Sequence, residues 1–401
     1  MAPETTRFDD PPVGYIDAKE ACARLGVKRT SLYSYVSRGL IRRLDTKGRS
    51  GLYLAEDVER LARRSAARRG HAAVAGAALR FGDPVLDSAI TEVRAKSPRY
   101  RGHAVTELVK SGATFESVAE ILWGSDPPVE RWPSPRMLAR VPYPDAPPVW
   151  RLVQALPGLA LADTARHSGT AAMELDRARR LLRALAGALV GAPISIGSRI
   201  AEGIAATLTM TPLQEATRAV DAILVACADH ELNVSTFTAR VAASAGADLY
   251  AAVGAGLYSF TGPRHGAACD RIEALVSSCE TRGTQAVVDE LLALGQSIPG
   301  FGHPLYPDGD PRTPPLLAVS RRKPERSALI DELVRIVSRE TGAQPAVDLG
   351  VVAVTRALGA ERGLSTALFA LGRAAGWVAH VLEQRRDGAI LRPRARYVGP
   401  E

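Results

Sequence analysis

A chain of 401 residues exceeds what one hydrophobic core ordinarily organises, so two or three folding units are expected. Hydrophobic residues at 46% with charged residues at 23% exclude a largely disordered or fibrous chain, and 5% aromatics with abundant alanine favour packed helices over sheet. The net charge of +8 is concentrated: residues 14–70 hold 14 Lys/Arg against 6 Asp/Glu, residues 1–13 carry −2, and everything from His71 onward adds only +2. A basic segment of this kind suits an acidic partner such as nucleic acid.

Four cysteines, Cys22, Cys227, Cys269 and Cys279, stand far apart with no C-x-x-C pair, which argues against a disulfide framework and against a zinc site. A reducing compartment is expected, with no metal. Met1-Ala2-Pro3-Glu4 lacks a basic start with an apolar run behind it, and no stretch reaches the ~18 apolar residues of a membrane span. The expected location is cytoplasmic, with no membrane partner.

In chain order, Asp17-Ala18-Lys19-Glu20 is a D-x-x-E capping box opening a helix through Ala21, Ala23 and Leu25 that Gly26 ends. A second helix is expected at Lys28-Arg29-Thr30-Ser31-Leu32-Tyr33-Ser34-Tyr35-Val36, closed by Gly39. Leu40-Ile41-Arg42-Arg43, a turn at Lys47-Gly48-Arg49-Ser50-Gly51 and Leu52-Tyr53-Leu54 read as a hairpin wing, with a further helix from about Ala55 to Arg64. The segment resembles the small winged helix-turn-helix of MerR-type regulators and excisionases, through Tyr15-Ile16-Asp17-Ala18-Lys19-Glu20-Ala21, Gly26-Val27 and Val36-Ser37-Arg38-Gly39-Leu40-Ile41. The resemblance implies that Lys28, Arg29 and Ser31 face a DNA groove, with Arg42, Arg43 and Arg49 on phosphates. The alternative is that the module packs on the body or on a partner and its arginines form a solvated face.

Residues 65–83 read as a linker. Beyond it, helices are expected at Val105–Lys110, Thr114–Trp123, Pro148–Leu156, Leu175–Val190, Pro212–Ala228, Val234–Tyr258, Thr284–Leu294, Ser327–Glu340 and Leu364–Arg385, separated by Pro/Gly-rich loops. Three of the seven histidines stand at loops or helix starts: His230 in His-Glu-Leu-Asn, His265 in Gly-Pro-Arg-His-Gly, and His303 in Pro-Gly-Phe-Gly-His-Pro. Such flexible backbone lets a ligand approach closely, which points to a shared site.

From about Asp83 onward the sequence resembles citrate synthase. The carriers are Tyr100-Arg101-Gly102, the stretch Phe115 to Trp123, the stretch His230 to Arg240, Gly262-Pro263-Arg264-His265-Gly266, Gly300-Phe301-Gly302-His303, Asp310-Pro311-Arg312, Val347-Asp348, the stretch Gly372 to His380, and Arg392-Pro393-Arg394. The resemblance implies carbon–carbon bond formation between acetyl-CoA and oxaloacetate followed by thioester hydrolysis, with the acyl-CoA as substrate and no cofactor. It implies that Asp348 is the base, that His265 donates a hydrogen bond to the thioester oxygen, and that His303 polarises the ketone. His230, Arg312, Arg373 and Arg392 would hold the carboxylates, a task suited to the planar guanidinium fork. A helix dipole at His265 would keep its imidazole neutral. In the family the arginine matching Arg392 comes from the neighbouring subunit, so a homodimer or larger homo-oligomer is implied. For Arg373, a buried ion pair is the alternative to a ligand.

The fold expected is mainly α: a winged helix-turn-helix at 13–64, a large synthase domain at 84–265 and 359–401, and a small one at 266–358. The chain departs from the family's usual residues at Arg264, at Cys269 in place of asparagine, at Pro304 in place of arginine, and at Ala346 and Leu349 beside Asp348. Two further readings stand beside the acetyl-CoA one: a 2-methylcitrate synthase using propanoyl-CoA, and a DNA-binding regulator whose body senses CoA thioesters or oxaloacetate.

Overall fold

The computed structural model describes residues 15–37, 40–44, 51–59, 61, 86–129, 131–135, 141–195, 197–393, 395 and 397–400. The chain divides into two compact units, Met1–Asp87 and Ser88–Glu401.

In the first unit, helix α1 (Ala18–Leu25) starts at Asp17, whose side chain accepts the Glu20 N–H at 2.8 Å, and stops at Gly26, which takes the left-handed φ of 63°. Only half of the expected capping box forms, because Glu20 turns to Arg24 instead. Helix α2 (Arg29–Ser37) follows after a three-residue turn. Strands β1 (Tyr15–Ile16), β2 (Arg43–Leu44) and β3 (Leu52–Leu54) make an antiparallel sheet in the order β1-β3-β2. Ile16, Ala21, Leu25, Leu32, Ile41, Tyr53 and Val58 fill its core. Residues 55–59 are helical, whereas the expected turn around Arg49 and the linker at 65–83 lie outside the described residues. Lys28 and Arg29 are exposed and Ser31 is half-buried. Arg42 is not a free cation. Its guanidinium and backbone N–H all bind the buried Asp57, at 2.9 to 3.2 Å, tying the sheet to the 55–59 turn.

The second unit opens with a small antiparallel sheet of β4 (Thr91–Glu92), β5 (Arg99–Tyr100) and β6 (His103–Ala104). Helices then follow: α3 (Val105–Ser111), α4 (Phe115–Trp123), α5 (Pro148–Ala162), α6 (Ala171–Val190), α7 (Ile200–Ala205), α8 (Leu213–Cys227), α9 (Val234–Ser244), α10 (Leu249–Phe260), α11 (Ala268–Arg282), α12 (Thr284–Ala293), α13 (Thr313–Ser320), α14 (Pro324–Thr341), α15 (Val347–Leu358) and α16 (Leu364–Asp387). The single helix expected over Val234–Tyr258 is two. Gly246 turns the chain at φ 83° and Asp248 caps a new start by accepting the Ala251 N–H at 2.9 Å. Helices α7, α13 and α15 fall where sequence periodicity marked none. No helix among the described residues is long and apolar enough to cross a membrane.

Helix α16 is the hub, buried without a break from Leu364 to Val381. A helix apolar on every face has to be surrounded, and here α8, α9, α10, α6 and α4 all pack on it. Two glycines admit its closest neighbours. A Cβ on Gly372 would stand 2.7 Å from the Leu224 carbonyl, and one on Gly376 would stand 2.3 Å from Asp229 Oδ1 and 2.5 Å from the Ala228 carbonyl. The Gly376 N–H donates to that Ala228 carbonyl at 2.9 Å, so the chain leaving α8 is pinned against the hub just before His230.

Candidate active site

Loop 228–233, between α8 and α9, carries His230. The Tyr100 hydroxyl from β5 lies among the carbonyls of Val225, Ala226 and Asp229 at 3.1 to 3.3 Å, tying the end of α8 to the loop that follows. Asp229, fully buried, accepts from Thr91 Oγ1 at 2.6 Å and meets His380 Nε2 at 3.3 Å. Its carboxyl is held below the usual range: burial opposes ionisation, but His380 and Arg373 outweigh it. These contacts fix the backbone at His230, whose neighbour Glu231 takes a left-handed φ of 53° that non-glycine residues seldom adopt.

The His230 ring packs edge-on to His303 at 5.9 Å, and its Nε2 lies 2.9 Å from the hydroxyl of Tyr306. His303 and Tyr306 share one turn, in which the Tyr306 N–H donates to the His303 carbonyl. The Leu305 N–H donates to His303 Nδ1 at 3.1 Å. That nitrogen is therefore unprotonated, and a neutral His303 carries its proton on Nε2. The same loop ends at Asp310-Pro311-Arg312. Arg312 is buried and forks onto Asp310 through Nε at 3.0 Å and Nη2 at 2.6 Å, while its Nη1 has no partner. Burial opposes both charges, and each partner overrides that opposition in the other.

Arg373, from α16, is buried with its Nε on the Cys227 carbonyl at 2.9 Å and its guanidinium 5.1 Å from the Phe369 ring. No carboxylate touches it among the described residues, so the buried ion pair is not what forms. His265 lies in the turn ahead of α11, with Nε2 2.8 Å from Ser235 Oγ. The Ser235 oxygen also accepts from Trp377 Nε1 at 3.1 Å, and Asn233 Oδ1 lies 2.7 Å from it. Burial first, then the positive charge of Arg373, push the His265 pKa down to about 4. Burial likewise lowers His230 strongly, and lowers His303, aided by Arg312. Asp348 occupies the first turn of α15, where burial pushes its carboxyl up against the pull of Arg312 and Arg373.

His230, His303 and Arg312 thus cluster around Tyr306, while Arg373 lies within electrostatic reach of His230, His265 and Asp348. Arg392 stands apart. It is exposed, on the segment after α16, and bonds to nothing among the described residues. Sequence reasoning missed Tyr306, Asp310, Ser235 and Asp229 as site builders. Asp310 was findable, since a carboxylate two residues ahead of a buried arginine, with proline between, is placed to pair with it. The basic run at Arg321 and Lys323 is spent on Asp331 and Glu215.

A histidine held neutral in the fold takes up its proton more readily when unfolded, so acid favours the unfolded chain. The His265 contribution is complete above pH 6.5 and is lost progressively as pH falls toward about 4. Urea unfolding followed across that window should show a falling midpoint, and His265→Gln should flatten part of the slope. An unchanged slope in the variant would contradict the burial argument.

Residues 81–394 match the family described as citrate synthase, C-terminal domain. The chain is 32% identical over 328 residues to the putative citrate synthase 2 of Mycobacterium tuberculosis, covering 75% of this chain and 87% of that one. It is 30% identical over 185 residues to 2-methylcitrate synthase 1 of Corynebacterium glutamicum, covering 44% and 49%. Among solved structures, the ternary complex of carboxymethyl coenzyme A and oxaloacetate with the citrate synthase of Thermoplasma acidophilum superposes with a TM-score of 0.69 at 22% identity, over 79% of this chain and 94% of that one. With the family matched over most of its length and the helical fold shared, this chain belongs to the citrate synthase family of acyl-transferring enzymes.

Proposed function

We propose that the chain condenses acetyl-CoA with oxaloacetate to give citrate and CoA. The observation that carries this reading is donor capacity left unspent among the described residues: Arg312 keeps a buried Nη1 with no partner, Arg373 has no carboxylate in contact, and His303 carries its Nε2–H within electrostatic reach of Arg312. A small dicarboxylate with a ketone between its acid groups uses all three. Arg312 and Arg373, with His230, take the carboxylates, and His303 donates to the ketone oxygen, making its carbon electrophilic.

Asp348 removes a proton from the acetyl methyl. His265 donates to the thioester oxygen as the enolate forms. The Ser235 hydroxyl proton has two acceptors in reach, and placing it on His265 Nε2 puts the ring proton on Nδ1, which has no protein partner. The new carbon–carbon bond leaves a CoA thioester that water then cleaves. With a large domain (84–265 and 359–401) and a small one (266–358), closure would bring His303 and Asp348 of the small domain against His230 and Arg373 of the large one. A second reading, propanoyl-CoA giving 2-methylcitrate, is favoured by the relative of that name in C. glutamicum. One methylene is worth only ~1–3 kcal/mol in a pocket.

Thiol release with oxaloacetate and either acetyl-CoA or propanoyl-CoA tests both readings, and absence of turnover in folded protein overturns them together. Asp348→Ala should lower kcat by roughly 10²–10⁴-fold with little change in oxaloacetate affinity. Arg312→Ala should chiefly raise KM for oxaloacetate, by about tenfold or more. The reverse pattern would show base and clamp misassigned.

Arg392, exposed and unpaired, is read as completing the site of a second copy in a homodimer. Mixing Arg392→Ala with Asp348→Ala subunits should then restore activity, since a hybrid holds one site with both groups intact. Subunit exchange confirmed by mass without recovered activity would count against the shared site.

For the first unit, the reading is a winged helix-turn-helix that binds DNA. Its support is the sequential pair α1 and α2 beside a three-stranded sheet, with Lys28, Arg29 and Tyr33 exposed and no acidic residue in the first turn of α2. Binding should weaken steeply with added salt. Reversing charge at Lys28 or Arg29 should weaken it more than reversal at Arg42, which is already neutralised by Asp57. Deleting residues 1–70 should abolish the salt-sensitive DNA shift and spare turnover, whereas full-length protein without DNA affinity at low salt leaves only a packing role.

A further inference from the structure

The base itself has few partners. Among the described residues one side chain lies within hydrogen-bonding distance of the Asp348 carboxylate, the thiol of Cys269, whose Sγ is 3.9 Å from Oδ1 and 4.0 Å from the Asp348 carbonyl. Cys269 is the second residue of α11 and Asp348 the second of α15, two helix starts that meet here. Because Cys269 follows His265 by four residues, one short stretch supplies both the thioester's donor and the base's neighbour.

The charged groups that face Asp348 are committed elsewhere. Arg312 forks onto Asp310, and Arg373 gives its Nε to the Cys227 carbonyl. Arg312 and Arg373 draw Asp348 toward ionisation and Asp310 opposes it, while the remaining titratable neighbour, the Cys227 thiol at the end of α8, is kept protonated by burial. Cys269 is fully buried, and both burial and the Asp348 charge keep its thiol protonated, so it can only donate. A thiol is a weak donor. A hydroxyl or amide in the same place would stabilise the carboxylate more and so weaken it as a base.

We propose that Cys269 is a positioning residue for the general base, steadying the Asp348 carboxylate with a donor too weak to quench its basicity. The proposal rests on the reading of Asp348 as base. Two separate measurements therefore test the two ideas.

The first needs no turnover. The pH at which Asp348 ionises is read from carboxyl bands in the infrared difference spectrum against Asp348→Asn. It should fall by about half a unit or more in Cys269→Asn, which keeps the volume and supplies a full-strength donor, and should rise in Cys269→Ala, which removes the donor. Where Cys269→Asn does not fold, Cys269→Ser serves as the donor variant. A carboxyl that ionises at the same pH in wild type and in Cys269→Ala overturns the proposal, since truncating a side chain that only fills space takes no donor from it. The second measurement is kinetic. In Cys269→Asn, kcat should fall severalfold and its acid limb should shift the same way, with KM for oxaloacetate unchanged. Turnover that survives Asp348→Asn undiminished overturns the base assignment, whichever way the infrared titration falls.

Discussion

The close approach of the chain to helix α16 at Gly372 and Gly376 is the constraint on which the rest of the site depends. At Gly376 a backbone N–H inside the helix bonds the Ala228 carbonyl at 2.9 Å, and no side chain larger than hydrogen fits between. This contact sets where α8 ends and hence where His230 begins. Four residues separate the two glycines, so they share one face of α16, and Arg373 follows Gly372 directly. The packing that admits loop 228–233 therefore also delivers the arginine that faces it. Overpacking such a position costs about 1–3 kcal/mol in an ordinary core. Here it would also displace His230.

Electrostatics then decides protonation. Three histidines and two arginines crowd one region, and each charge added there raises the cost of the next. The arginines stay charged, so the histidines give way: His230, His265 and His303 are all depressed, by burial first and by Arg312 or Arg373 next. Neutral imidazoles can donate without first losing a charge, which suits hydrogen bonding to a ketone or thioester oxygen. The same burial acts oppositely on Asp348, pushing its carboxyl up. One environment thus separates acids from bases.

Much of this was legible in the sequence. Gly-Phe-Gly-His and Asp-Pro-Arg fall in loops because glycine and proline break periodicity, and the structure places His303 and Arg312 in such a loop. The mainly helical body follows from alanine-rich, aromatic-poor composition. What escaped depends on tertiary contact. The break between α9 and α10 hides in Ala-Ser-Ala-Gly-Ala-Asp, where small residues suit helix and turn alike and only the Asp248 cap marks the restart. Helix α15, buried almost all round, is rich in valine and carries a glycine, residues that form helix weakly. Ser235 and Tyr306 carry no local sign of their partners, which lie 30 and 76 residues away. Arg42 reads as a surface cation until Asp57 is found beneath it.

Burial of an arginine does not by itself mark a ligand site, as the other buried arginines of this chain demonstrate. Arg179 is spent on Glu120 through two bonds of 2.8 Å, and Arg240 on Glu383 and Gln384. Arg177 binds Asp163 and Glu174, and Arg183 gives both terminal nitrogens to the carbonyls of Ile194, Ser195 and Ser198, leaving only Nε over. These four join helices and loops; carboxylates offset the burial of Arg177, Arg179 and Arg240, whereas Arg183 has carbonyls alone and burial lowers its pKa. Arg312 and Arg373 differ in what they withhold. Arg312 satisfies a neighbouring carboxylate yet keeps a terminal nitrogen free, and Arg373 offers only its Nε to a carbonyl. A buried guanidinium left short of acceptors is unfavourable unless something arrives to complete it. Unspent donors, more than charge, separate Arg312 and Arg373 from Arg177, Arg179 and Arg240, which spend theirs on carboxylates.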